Sequence, residues 1–184
     1  MAPGDIFTHA FAYVSGRTPI VDAGGALRPC VRTARERGVL FDVGYGAKSF
    51  SFGQAGPAIA AGFWPDTISS DAHRSSARGS MHDLVAVVSK LDALGASRGR
   101  PLEPIDLVAR VTTLPAAAIG RPSLGALSIG AEADVAILAS TDGSFAWHDV
   151  DGRTVTGSRR LSCELTIRAG EVVWDPHGRV AARR

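Results

Sequence analysis

The sequence predicts an α/β fold that gives way, near residue 120, to a small all-β region. Three observations predict it. Short apolar or β-branched runs recur at residues 5–9, 39–43 and 66–70, each ending in polar residues beside glycine or aspartate. Buried parallel strands read this way where their C-terminal ends open into a cleft. Segments of helical spacing separate and follow these runs, and beyond residue 120 that spacing stops and strand-like runs alternate with turn signals.

Each element can be justified in turn. Residues 5–9 form the first strand. Residues 10–29 read as loop, because Gly16, Pro19, Gly24, Gly25 and Pro29 interrupt any period. A short helix at 30–37 should stop at Gly38, and 39–43 is the second strand. Residues 49–61 read as helix despite Pro57, ended by Gly62, and 66–70 is the third strand. In residues 83–94 Leu84, Val87, Val88 and Leu91 recur at i, i+3, i+4 and i+7, which predicts an amphipathic helix capped by Gly95. Residues 104–111 form another helix with Pro104 in its first turn, and 115–119 a short one. Strands follow at 135–138, 145–148, 160–167 and 171–174, with Asp142-Gly143, Asp151-Gly152 and Ala169-Gly170 as the turns between them.

Size and composition bound the function. The chain has 184 residues, a net charge of +2 and 45% hydrophobic residues, and its mean hydropathy is +0.09. One core, or one core and a satellite, is within reach of that length. No apolar run approaches the roughly 20 residues needed to cross a bilayer, and no basic-then-apolar leader opens the sequence, so neither a membrane nor secretion is expected. The basic residues are scattered except at the end, where residues 177–184 read as a solvated basic tail, and nucleic acid is not expected as a partner. Cys30 and Cys163 form no metal or redox motif and read as free thiols of a cytoplasmic protein.

The three predicted strand ends present His9, Tyr45 and Asp71, with His73 two residues further on. Histidine and aspartate are metal-ligand types; a phenol with a pKa of about 10 must first lose its proton. By spacing alone, His9 reads equally as a hydrogen-bonded core histidine and Asp71 as a cap, while Tyr45 reads as a pocket-lining aromatic with its hydroxyl bonded. His82, His148 and His177 have no partner spacing. The segment Gly44-Tyr45-Gly46-Ala47-Lys48-Ser49 is not a phosphate loop, since Ala47 and Asp42 stand where glycines are required, and no Gly-x-Ser-x-Gly elbow is present.

Several segments resemble the amidohydrolase superfamily, and more narrowly its dihydroorotase-like amidohydrolase/deacetylase group. They are Gly4-Asp5-Ile6-Phe7-Thr8-His9, the run from Arg35 to Gly44, Pro65 to Asp71, and Pro115 to Gly120 followed by Leu124 to Leu138. The resemblance extends over roughly residues 3–175 and concerns only the C-terminal portion of such enzymes. It implies the C-terminal half of a metal-dependent hydrolase (β/α)8 TIM-like barrel over residues 1–120 and a small β-sandwich segment over 121–176. It also implies hydrolysis of a carbon–nitrogen bond in a small-molecule amide or N-acyl substrate, with a binuclear zinc site. Within that site it implies His9 and Asp71 as metal ligands on different ions and Asp71 also as the catalytic proton carrier. Tyr45, as a pocket-lining aromatic, and His73, two residues beyond Asp71, are expected to bind substrate.

Two departures stand out. The His-x-His pair that opens the family's ligand set is absent, and the only lysines, Lys48 and Lys90, do not match its bridging lysine. Tyr45 stands where the family's Gly-His-Gly pattern supplies a histidine. A zinc site takes three or four protein ligands. The expectation is therefore a catalytically impaired chain that does not hold zinc tightly by itself. Its open strand edges would favour homo-oligomers. The alternative is a non-enzymatic remnant or scaffold.

Overall fold

The computed structural model describes residues 1–76 and 78–180, so residues 181–184 of the predicted basic tail lie outside it. Strand β1 (Ile6–Phe7) lies parallel to β2 (Leu40–Phe41), with Ile6 opposite Leu40 and Phe7 opposite Phe41. The third predicted strand runs along the other side of β2. Asp42 bridges Thr67 in the parallel sense, and the amides of Val43, Tyr45 and Gly46 donate to the carbonyls of Thr67, Ser69 and Ser70. It is an irregular strand because the amides of Asp66 and Thr67 both turn to the Phe41 carbonyl.

Helices carry the chain between these segments, as parallel neighbours require. Helix α1 (Pro29–Glu36) starts on a proline that has no N–H to leave unpaired, and Gly38 at φ +90° turns the chain into β2. Helix α2 (Phe52–Ala60) begins at Ser51, whose hydroxyl accepts the Gly53 amide. Helix α3 (Leu84–Ser97) is capped by Asp83, which accepts the Ala86 amide at 2.7 Å. It does not stop at Gly95 as predicted. A Cβ there would lie 2.6 Å from the Trp64 ring, so the glycine admits that ring and the helix runs on to Ser97. Short helices α4 (Pro104–Ala109) and α5 (Thr113–Ala118) follow.

The C-terminal region is one antiparallel sheet in the order β3 (Val135–His148), β4 (Thr154–Arg168), β5 (Glu171–Trp174). Asp142-Gly143 is not a turn: β3 runs through it, and the register against β4 shifts between Asp142 and Phe145 as at a bulge. Asp151-Gly152 and Ala169-Gly170 do turn the chain, the latter with both residues at positive φ. Helix α3 packs against this sheet along β4. The Leu161 amide donates to Ser89 Oγ at 3.1 Å, Arg159 clasps Asp92, and Gly157 lets the strand close on Ala93. The apolar core is continuous from Ala10 to Leu107 and includes Trp147 of the sheet. Burying each Val, Leu, Ile or Phe of this cluster stabilises the fold by about 1.5–3 kcal/mol. Among the described residues no helix is long and apolar enough to cross a membrane.

Candidate functional site at the strand ends

The C-terminal ends of the three parallel segments are tied together by a carboxylate. Asp42, on the second segment, is buried and accepts three hydroxyl donors from the other two: Thr8 at 2.7 Å, Thr67 at 2.7 Å and Ser69 at 2.6 Å. Sequence reasoning missed this group, although an aspartate inside the apolar run Leu40-Phe41-Asp42-Val43 was the available signal. A buried carboxylate needs such donors to persist.

On this frame His9 and Asp71 come together. His9 Nδ1 lies 2.5 Å from the Gly44 carbonyl oxygen, which can only accept, so Nδ1 carries the proton. In the neutral ring the lone pair is then on Nε2, which faces Asp71 Oδ2 at 3.9 Å. That separation is too long for a hydrogen bond. A histidine fixed through one nitrogen by a backbone carbonyl presents the other in a set direction, which is how ligating histidines are held.

The backbone is strained at the same place. His9 and Asp71 both sit in the left-handed region, at φ +54° and +46°. Non-glycine residues held there cost of order 1–3 kcal/mol and cluster at functional sites. The glycines flanking Tyr45 make the approach possible. A Cβ on Gly44 would lie 2.7 Å from His9 Nδ1, and one on Gly46 would lie 2.7 Å from Asp71 Oδ2. Ser76, another residue missed from sequence, is fully buried and donates to the Asp71 carbonyl at 3.1 Å, shaping the turn that carries the aspartate.

Tyr45 and His73 stand apart from this pair. Tyr45 is predicted to line a pocket, but its side chain is wholly buried, 0% exposed, stacked on Phe50. Its hydroxyl accepts from Lys90 Nζ at 3.0 Å, meets Ser80 Oγ at 3.0 Å and reaches the His148 carbonyl at 3.2 Å. Burial, augmented by the nearby Asp149 charge and partly offset by the Ser80 bond, pushes the phenol up to about 12. It is thus a protonated core group facing the sheet. Lys90, 1% exposed, answers it: Nζ also donates to the carbonyls of Ser80 and His148, and burial brings it down to about 8 against the pull of Asp149 and Asp83. His73 is exposed, and its Nδ1 accepts the Ser76 amide at 3.0 Å, so it closes the turn after Asp71.

Among the described residues no group of three or more His, Cys, Asp or Glu side chains could hold a metal ion. The pair His9 and Asp71 offers two donors of the right chemistry, fewer than a zinc site takes. The set present in this chain therefore does not fit a complete zinc centre.

No family model matches the chain. Deacetylase Atu3266 of Agrobacterium fabrum is 34% identical over 173 residues, which is 94% of this chain and 40% of that protein. A deacetylase of Brucella anthropi is 33% identical over 173 residues, 94% of this chain and 41% of its own. Among solved structures, an adenine deaminase superimposes with a TM-score of 0.85 at 28% identity, covering 95% of this chain and 46% of that one. A dihydroorotase does so with a TM-score of 0.78 at 28% identity, covering 95% and 44%. The chain spans less than half the length of each of these relatives.

Proposed function

Because this chain belongs to the amidohydrolase superfamily, as a C-terminal portion of it, we propose that it carries part of a hydrolytic site for carbon–nitrogen bonds and is catalytically impaired without the remainder. The observation that carries this reading is the convergence of His9 and Asp71 at 3.9 Å on strained, glycine-cradled strand ends. In this reading the parallel segments are the last strands of a (β/α)8 barrel within residues 1–120. Sheet β3–β4–β5 belongs to a β-sandwich segment within 121–176. His9 and Asp71 are this chain's share of a zinc-ligand set completed by residues outside these 184. Asp71 is the group that passes a proton to the leaving nitrogen, a task for a carboxylate within hydrogen-bond reach of it. The substrate is a small-molecule amide or N-acyl compound, a class that fits the deacetylase relatives.

The test is a zinc determination on the purified 184-residue chain, followed by amide hydrolysis with and without a separately expressed N-terminal portion of a deacetylase relative. Substoichiometric zinc and turnover only after mixing are expected. Near-stoichiometric zinc, or turnover by the chain unaided, overturns the reading. A second reading, a non-enzymatic scaffold that pairs with itself, is favoured by the exposed apolar side chains of Val172, Val173 and Trp174 on the edge strand β5. It gains if mixing restores no turnover and the chain is oligomeric.

A further inference from the structure

A cavity of about 450 Å³ opens within the loop that follows β1, walled by Tyr13, Val14, Arg17, Val21, Arg28 and Gln54. Its size is that of a small-molecule site. Its polar lining consists mainly of donors. Arg17 uses one N–H on the Thr8 carbonyl at 2.6 Å, with its guanidinium 4.6 Å from the centre of the Phe7 ring. Arg28 uses its Nε on the Pro19 carbonyl at 2.8 Å. Gln54 spends its carbonyl oxygen on the Val21 amide, which leaves its NH2 group as donor. Among the described residues neither arginine makes an ion pair. The lining carboxylate, Asp22, is held within its own turn, where one oxygen accepts the amides of Gly24 and Ala26. Two arginine forks without a carboxylate partner, beside apolar surface, match an organic anion: the planar guanidinium pairs a carboxylate through two parallel bonds.

The geometry points to this cavity as a binding site for the carboxylate of an organic acid, with Arg17 and Arg28 as its ligands. Arg17 links the cavity to the strand-end site, because the carbonyl that fixes it belongs to Thr8, next to His9. The inference deepens the proposed function by assigning an anionic substrate to that site, and it rests on that reading for its role in catalysis, though not for binding.

Equilibrium binding to the full 184-residue chain tests it. The probes are N-acetyl-leucine and its uncharged amide, with inorganic phosphate as competitor. The acid should bind saturably and the amide at least about tenfold more weakly, the scale of one charge-assisted hydrogen bond. Arg28→Gln should weaken the acid about tenfold, while Arg121→Gln, which removes the same charge from an exposed position, should not. Arg28→Lys decides the matter should the glutamine variant lose its near-ultraviolet circular dichroism: it keeps the charge without the fork and should weaken binding by about threefold or more. Equal binding of acid and amide, no binding of either, or unchanged affinity in the folded Arg28 variants overturns the assignment. Phosphate binding in place of the carboxylate also overturns it. None of these readouts needs turnover, so the hydrolytic reading can fail while this one stands.

Discussion

The two regions of this chain bury their apolar residues in different ways. Almost all of the buried apolar side chains lie between Ala10 and Ala116, where three parallel segments and their helices close over one another. In the β3–β4–β5 sheet only Trp147 and Leu165 of the large apolar residues are buried, while Ile137, Leu138, Val172, Val173 and Trp174 are exposed. The sheet is joined to the α/β part by the apolar side chains of Phe145, Trp147, Val155 and Leu161 and by a polar seam: Lys90 to the His148 carbonyl, Asp92 to Arg159, Ser89 to the Leu161 amide, and Asp149 to the Phe52 amide. The α/β part therefore supplies its own driving force, and the sheet depends on it for a smaller apolar contact and for these directional bonds.

Breaking the seam at its most buried point should have the largest effect. Lys90→Met removes the donor to the Tyr45 hydroxyl and to the carbonyls of Ser80 and His148. Each buried acceptor left unpaired costs about 1–3 kcal/mol, and relief of ammonium desolvation offsets part of this. A net loss of about 3 kcal/mol in urea unfolding is expected. The pH dependence gives a second signature. Lys90 is held near 8 in the fold against 10.5 ordinarily, so between those values the unfolded chain binds more protons and stability rises with pH. Tyr45, raised from 10 to about 12, keeps its proton in the fold while the unfolded chain loses it, so stability falls again above pH 10. The urea midpoint should thus climb from pH 7 toward 10. A flat profile in the parent chain, or the same climb in Lys90→Met, would count against the buried lysine as its cause.

The seam can also be opened sterically. A Cβ on Gly157 would meet the Ala93 Cβ at 2.7 Å, closer than real methyl groups come. Gly157→Ala should lift β4 from α3 and cost about 2 kcal/mol. The same change at Gly152, a turn glycine at φ +78° with open space around it, should leave the sheet seated while paying a backbone cost of about 1 kcal/mol. If both variants lose the same stability and keep the same amide-exchange protection in β4, the sheet is not held by close approach to α3.

What was legible in the sequence follows the same division. Strand and helix positions in residues 5–97 could be read because apolar periodicity and stop residues such as Gly38 and Gly62 act locally. That His9, Tyr45 and Asp71 stand near strand ends could be read from the apolar runs that precede them, but the approach of His9 to Asp71 at 3.9 Å could not. The fate of Tyr45 was not legible, since the partners of its hydroxyl, Ser80, Lys90 and the His148 carbonyl, lie 35, 45 and 103 positions away. Gly95 and Asp142-Gly143 misled for a related reason. Glycine marks both a stop and a close contact, and only the Trp64 ring, or the partner strand, tells the two apart. Asp42 and Ser76 escaped because their roles are to hold other residues in place through bonds that cross between segments.

A smaller effect is expected at the rim of the seam. Arg159 reaches Asp92 through two bonds of 2.6 and 2.8 Å, but its side chain is 31% exposed. Arg159→Met should cost about 1 kcal/mol, and less at high salt, because solvent screens a pair of this exposure. A loss equal to that of Lys90→Met would place the strength of the seam at its edge instead.

The smallest change in stability, with the clearest change in behaviour, should come from the uncovered surface. Val173 and Trp174 are 57% and 55% exposed on β5, an edge strand whose outer backbone groups are free to pair. Lysine on such an edge is a common device against strand addition. Val173→Lys should move stability by no more than about 0.5 kcal/mol, since the side chain contributes little to the core. If the sheet's exposed apolar residues make the chain self-associate, sedimentation velocity should show concentration-dependent oligomers for the parent and a shift toward monomer for the variant. The contrast between the regions predicts that the mirror experiment fails: Val43→Lys, in the buried segment after β2, should unfold the chain rather than disperse it. A parent chain that stays monomeric at high concentration would mean that exposed apolar area on this sheet does not by itself recruit a second copy.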